Sequence, residues 1–396
     1  MVDIADRTGI NPASTGDATA PPARICRAAP IPLDSINADR WKSLSERAIE
    51  PNGYYLPGWE LAVSASAHGR TGATALCAFG DAPSTRLIGL MPVVSLWRAW
   101  KVPLPALASA HPYGTLCTPL LDRERADAAA TRLITQARSA GARALVLRDV
   151  ALDGAAMQAF AAALRPDGLK MRALHSCLRA SLDATKDGDQ LLRDALGGKK
   201  LKELRRQRHR LAEHGAIRFD VAHTPEAMPA ALQTFLRLEA SGWKGKCGTA
   251  LIQDDGDAAF IHSAVVALAE TGQCEIVTLH AGDTPIAAGI VLRHQDRAFF
   301  FKLGVDERFA KYSPGVQLTL KLTRHLCADP TIASADSTAS ADHPMINPIW
   351  RGRFAVGDVL IPLYRNDPVV ALIYAALVTR GFVLEFARRA VRWFRK

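Results

Sequence analysis

Residues 274–305, CEIVTLHAGDTPIAAGIVLRHQDRAFFFKLGV, constrain the fold more than any other stretch of the chain. Three apolar, alternating runs are separated by the short polar turns AGDTP and HQDR, which predicts three consecutive antiparallel strands. The last run passes through DERFAKYSPG into a helical pattern, with Val316, Leu318, Leu320, Leu322 and Leu326 among basic spacers. Pro314 in the first turn of that helix removes an amide that would have no intrahelical partner. Gly315 lets a ligand approach the backbone. The remaining free amides and the positive end of the helix dipole suit an anion. The same residues also fit a plain strand-to-helix turn with an ordinary cap. A further strand, TIASADST, follows the helix.

The first half repeats this plan. DRWKSLSERAIEPNGYYLPGWELAVSAS reads as helix, turn, helix, and ATALCAFG and TRLIGLMPVVSLW as a hairpin around DAPS. HPYGTLCTPLLD is a loop, residues 123–140 an Ala-rich helix, RALVLRDV a strand, and HSCLRASLDA closes the unit near 185. The second unit opens with GKKLKELRRQRHRLAEHG, in which Leu201, Leu204 and Leu211 share one helix face. VGDVLIPLY is expected to complete it. Strands alternating with helices make the class α/β with mixed sheets, and meander, helix and strand twice over resemble the plan of a GNAT-like N-acyltransferase domain in tandem. The expected divisions are a loose tail at 1–30, an N-terminal domain at 31–185, a C-terminal acyltransferase domain at 186–365 and a basic amphipathic helix at 366–396.

A formal net charge of +10 points to an anionic partner. The basic run has no aromatic between Leu191 and Ile217 and no nucleic-acid-binding signature, so a solvated helix or a landing site for an anionic substrate fits it. Seven dispersed Cys without CxxC argue for reduced thiols, and no metal site is expected. Residues 1–30 lack the apolar segment of a secretory signal, so a cytoplasmic location is expected. From Val369 the chain is apolar for nearly a membrane's length, but Arg380 and Glu385 interrupt it, and Arg388, Arg389, Arg392, Arg395 and Lys396 gather beyond. That segment is read either as a helix packed on its own domain or as an interfacial helix on anionic lipid, peripheral to the inner membrane.

Three blocks, LRLEASGWKGKCGTAL, FFFKLGVDERFAKYSPGVQL and DSTASADHPMINPIWRGR, resemble the signature segments of the CelD-type acyltransferases. That family is GNAT-related, linked to cellulose and exopolysaccharide production, and distantly related to the Fem peptidyltransferases. PNGYYLPGWE, LIGLMPVV and HPYGTLCTPLLD are similar to its first domain, so the likeness spans residues 35–365. The resemblance implies that Arg308, Lys311, Tyr312, Ser313, Gly315, Val316 and Gln317 form the loop that holds an acyl-CoA pyrophosphate. Ser313 stands where a glycine is usual, and Pro314 has no amide to donate. Asp336 and His343 are the candidate bases, with Glu239 next. Trp243, Lys244, Lys302 and Trp350 are candidate substrate contacts. Lys302 and Asp306 flank the loop, and each also fits a structural ion pair. Trp350 falls where many GNATs place a tyrosine acid, and an indole cannot supply that proton.

The implied reaction is transfer of an acetyl or other acyl group from acyl-CoA to an amine or hydroxyl of a sugar-type envelope or exopolysaccharide precursor. Two alternatives stay open. One is a Fem-like transferase using aminoacyl-tRNA, the sole nucleic-acid partner contemplated. The other is a non-catalytic scaffold of a polysaccharide synthase.

Overall fold

The structure is a computed structural model describing residues 29–81 and 86–394, without the side chains of Trp243, Glu385 and residues 388–394. The tail at 1–28, most of the DAPS turn and the side chains of Arg388, Arg389 and Arg392, with all of Arg395 and Lys396, lie outside the described residues. In chain order the strands are β1 (Ile31–Pro32), β2 (Thr74–Phe79), β3 (Leu87–Ser95), β4 (Ala106–Ser109), β5 (Leu120–Leu121), β6 (Ala144–Ala151) and β7 (Arg172–Asp183). The second half adds β8 (Ile217–Ala222), β9 (Cys274–Ala281), β10 (Thr284–His294), β11 (Arg297–Val305), β12 (Ser334–Asp336) and β13 (Gly352–Pro362).

All of them join one sheet in the order β1-β2-β3-β4-β6-β13-β7-β12-β11-β10-β9-β8, with β5 beside β3. The three-strand meander expected at 274–305 is present, antiparallel throughout, as β9, β10 and β11. Each half contains one parallel pair of three residues, β4 with β6 and β11 with β12. These are the pairs connected through a helix, as parallel strands require.

VGDVLIPLY does not complete the second unit. β13 pairs antiparallel with β6 of the first half and along β7, while β7 pairs with β12 of the second. Each half therefore receives the strand that the other half's sequence supplies. Alternation marks the buried face of a strand but carries no information on its neighbour, which is why the exchange escapes a reading of the pattern.

Helices cover the sheet on both faces. Met228–Ser241 and Asp255–Ala269 pack with Pro57–Ser66 of the first half over β9, β10 and β11, through Trp59, Phe235, Phe260 and Phe299. Pro314–Ala328 and the basic helix Gly188–Leu211, kinked at Gly197, cover the other face. Leu201, Leu204 and Leu211 of the basic helix are buried as the spacing predicts. The C-terminal helix Pro368–Phe394 behaves in two ways. Ile373 and Leu377 are buried against β4, β6 and β13, whereas Phe382, Val383, Leu384 and Phe386 are exposed.

Candidate active site

Beyond Phe299 and Asp336 the parallel strands β11 and β12 no longer pair. The gap between them is a cleft of about 310 Å³ lined by Lys244, Phe301, Lys302, Thr338, His343 and Met345, among others. Thr338, at a φ of 49°, bridges the gap by donating its hydroxyl to the Phe300 carbonyl at 2.6 Å. On the other edge of β11 the register with β10 slips: Ile290 faces Lys302 and Val291 faces Phe300. Phe301 is thus the extra residue of a bulge, which turns the strand at the cleft wall.

Glu239 organises the charged wall. Gly304 of β11 lets the helix Met228–Ser241 come close, since a Cβ there would sit 2.7 Å from the Glu239 amide nitrogen. The Glu239 carboxylate is fully buried; Oε1 accepts from Lys244 Nζ at 3.0 Å and Lys302 Nζ at 3.2 Å, and Oε2 from the Leu251 amide at 3.0 Å. Burial would raise the Glu239 pKa, but the two ammonium groups and the amide outweigh it and hold it below the ordinary value. Burial lowers Lys302, with Glu239 pulling the other way. The first half contributes Tyr113, whose ring lies 5.4 Å from Lys302 Nζ and whose hydroxyl donates to Asp257. Tyr113 and Asp257 were missed in the sequence; the only trace was HPYGT, read as a loop, where Tyr113 adopts a φ of 62°.

The two candidate bases differ from expectation. Asp336 is 1% exposed, its Oδ2 held by Arg179 at 3.0 Å and its Oδ1 by the Thr338 amide at 2.7 Å. Burial raises its pKa in spite of Arg179. The carboxylate faces a structural partner rather than the cleft. His343 does line the cleft, but its Nδ1 accepts weakly from the Met345 and Ile346 amides at 3.4 Å. Burial lowers its pKa, so the ring is neutral with its proton on Nε2. In this arrangement an N–H faces the cleft.

Trp350 is a core residue: it is fully buried and its indole N–H donates to Thr323 Oγ1 at 2.9 Å. The Trp243 side chain lies outside the described residues. Lys244 and Lys302 meet in one cluster on Glu239, and Asp306 pairs with Arg308, so both Lys302 and Asp306 are in ion pairs.

The loop at 308–317 has mixed credentials as an anion cradle. Arg308 is exposed and tied to Asp306 through three bonds, the shortest 2.7 Å. Tyr312 is buried, its hydroxyl 3.1 Å from His214 Nε2, with Lys311 Nζ 4.9 Å from the Tyr312 ring centre. Ser313 caps the helix in the left-handed region, φ 54° and ψ 54°, without a side-chain cap bond. The Gln317 amide donates to Ser313 O at 3.0 Å and its side chain to Leu204 O at 2.8 Å, so Gln317 is not part of a cradle. Gly315 and Val316 supply the amides at the helix start, and no acidic residue lies in the first turn. That fits a phosphate through two amides and a dipole.

Residues 198–343 match the acetyltransferase (GNAT) domain family. They contain most of the cleft lining, all but Met345 and Ile346, so this half of the chain carries a GNAT-type domain. No curated protein matches the chain in sequence. Among solved structures, FemX is 13% identical, with 86% of this chain and 98% of that one covered at a TM-score of 0.56. The C-terminal domain of a lysylphosphatidylglycerol synthetase from Agrobacterium fabrum is 14% identical, covering 86% and 95% at 0.52. L-PGS from Bacillus licheniformis is 11% identical, covering 86% and 97% at 0.52. At these identities the likeness is one of fold. It extends over both halves.

Proposed function

We propose that the chain transfers an acyl group from acyl-CoA to an amine or hydroxyl of an envelope or exopolysaccharide precursor, as the CelD-type resemblance implies, in the cleft between β11 and β12. The observation carrying this reading is convergence. Two ammonium groups fixed on a buried carboxylate line the gap between the parallel strands, and a helix N-terminus without acidic residues lies against Leu303, Val305 and Met345 of the same lining. The acceptor nitrogen or oxygen attacks the thioester carbonyl, negative charge develops on its oxygen, and Lys302, Lys244 and the His343 Nε2–H are the donors available to it. Collapse of that adduct breaks the C–S bond and releases the thiol. Glu239 is saturated, Asp336 is buried and His343 Nδ1 is engaged, so the acceptor's proton leaves through the open mouth to water. Thermal shift tests the donor: CoA and acetyl-CoA are expected to raise the melting temperature. Stabilisation by neither would overturn the acyl-CoA reading.

One observation favours aminoacyl-tRNA as the donor instead. Arg193, Arg205 and Arg208, with Arg324 paired to Asp189 at 2.7 Å, gather around the seam between the basic helix and Pro314–Ala328, a net basic surface suited to a polyanion. The solved chains of like fold include FemX and the synthetases named above. Stabilisation by tRNA but not by CoA would move the assignment there, and stabilisation by neither leaves the scaffold.

The C-terminal helix is proposed to meet an anionic membrane surface. Its support is the run of exposed apolar residues after Arg380. Among the described residues no helix is long and apolar enough to cross a membrane. A chain ending at Arg380 keeps the packed Ile373 and Leu377, and is expected to lose sedimentation with phosphatidylglycerol vesicles at low salt. Equal sedimentation with and without residues 381–396 would remove the helix tip from membrane contact.

A further inference from the structure

A second polar cleft, of about 280 Å³, lies in the first half and is lined by His68, Arg70, Arg98, Arg148 and His111, with no carboxylate. Its guanidinium groups are not consumed by acids. Arg98 docks on the backbone carbonyls of Thr71 and Gly72. Arg70 donates from Nη1 to the His68 carbonyl at 2.9 Å, and its buried Nε–H has no partner. Arg148 forms no ion pair among the described residues; its guanidinium lies 5.3 Å from the Trp100 ring centre. His111 accepts from the Tyr113 amide at Nδ1, 3.1 Å, which leaves its proton on Nε2. Burial first, then Arg148 and Arg70, push the His111 pKa down to about 3, so it is a neutral donor across the working range of pH.

We propose that this cleft binds the phosphate of a phosphate-bearing ligand through Arg70, Arg98, Arg148 and the His111 Nε2–H. The chemistry is one of planar, doubly donating guanidiniums converging in a cleft with no carboxylate in its lining; the nearest acids are Asp254, paired with His68 at 3.0 Å, and Asp149 behind Arg148. A buried N–H without an acceptor is costly to leave unmade, and a phosphate oxygen supplies the missing acceptor. The Arg70 guanidinium lies 4.4 Å from the Tyr113 ring centre, and Lys302 Nζ lies 5.4 Å from the same ring. Arg70 at this cleft and Lys302 at the other therefore contact the same aromatic ring. Binding of the phosphate stands independently of the acyl-transfer reading.

Calorimetry with inorganic pyrophosphate on the full chain at low salt tests the site. The expected result is saturable binding that weakens at least ~10-fold in Arg148→Met and again in Arg70→Met, and fades with salt. Met keeps an unbranched apolar stem without the charge, and circular dichroism of each variant checks the fold. Phosphatidylglycerol vesicles and a soluble nucleoside diphosphate, each competed against pyrophosphate, distinguish a lipid headgroup from a soluble source; displacement by either supports the site. Absence of saturable pyrophosphate binding, or binding unchanged in both variants, would overturn it.

Discussion

The two halves build the same junction and leave it in opposite states. In both, a parallel pair three residues long diverges ahead of a helix. In the second half the gap stays open as the cleft. In the first half the loop after β4 occupies it: the Cys117 amide donates to Asp149 O at 3.2 Å, Tyr55 donates to Ala110 O at 3.0 Å and Trp59 to Pro112 O at 2.6 Å. The helices differ as well. Ala126–Ser139 carries Asp127 in its first turn, whereas Pro314–Ala328 has no acid there. An acidic side chain at a helix start already satisfies the dipole that an external anion would seek. One fold thus supplies an open gap between its parallel strands and one that a loop fills, and the difference resides in a few loop residues and one charge.

If the open gap is the reaction centre, Lys302→Met should lower single-turnover acyl transfer by roughly 100-fold or more, as for loss of an oxyanion donor. A variant that folds and retains its rate would erase the functional contrast between the halves. Next in size is stability. Asp336→Ala strands Arg179 in the interior and should destabilise by about 3 kcal/mol in denaturant titration. His343→Ala, at a half-buried ring with long hydrogen bonds, should stay within about 1 kcal/mol. Similar values for the two would contradict the assignment of Asp336 to an ion pair joining the halves.

The helix starts can be compared directly. A Cβ at Gly315 would lie 3.0 Å from Leu303 Cδ2, pressing a side chain of the cleft wall. Gly315→Ala is expected to weaken acetyl-CoA binding ~10-fold by calorimetry, while Asp127→Asn in the sealed half leaves it unchanged. Equal effects would mean that neither helix start is selective for the donor. The smallest effect concerns pH. The folded-state pKa of Glu239 is depressed from 4.5, so its contribution to stability is present above that value and is lost as pH falls through the folded pKa. The stability gap between wild type and Glu239→Gln should therefore narrow in acid. A gap that widens would reverse the sign of the shift.

Local features of the fold were legible and distant ones were not. The meander over 274–305, the buried leucines of the basic helix and the turn at Pro314 follow from alternation, periodicity and proline geometry. Asp336 looked like a strand-end acid because its partner Arg179 stands far away in sequence on an exchanged strand. Trp350 sat in a block of family-like residues, yet its donor bond to Thr323 is internal to the core. Lys302 and Lys244 were visible as candidates, but the buried carboxylate that unites them required knowing how closely the helix at Glu239 approaches Gly304.

The exchange of β7 and β13 has a consequence for inheritance and for expression. A chain cut near residue 185 would leave β6 without β13 and would carry β7 away from β12, giving each fragment an unpaired interior edge. The halves are therefore expected to melt together and to resist production as separate pieces. A duplicated unit whose own gap has closed still cannot be discarded, because its sibling's sheet ends on its strand. A filled gap in one half is then compatible with that half's being indispensable, since it closes its sibling's sheet and brings Tyr113 to the cleft wall.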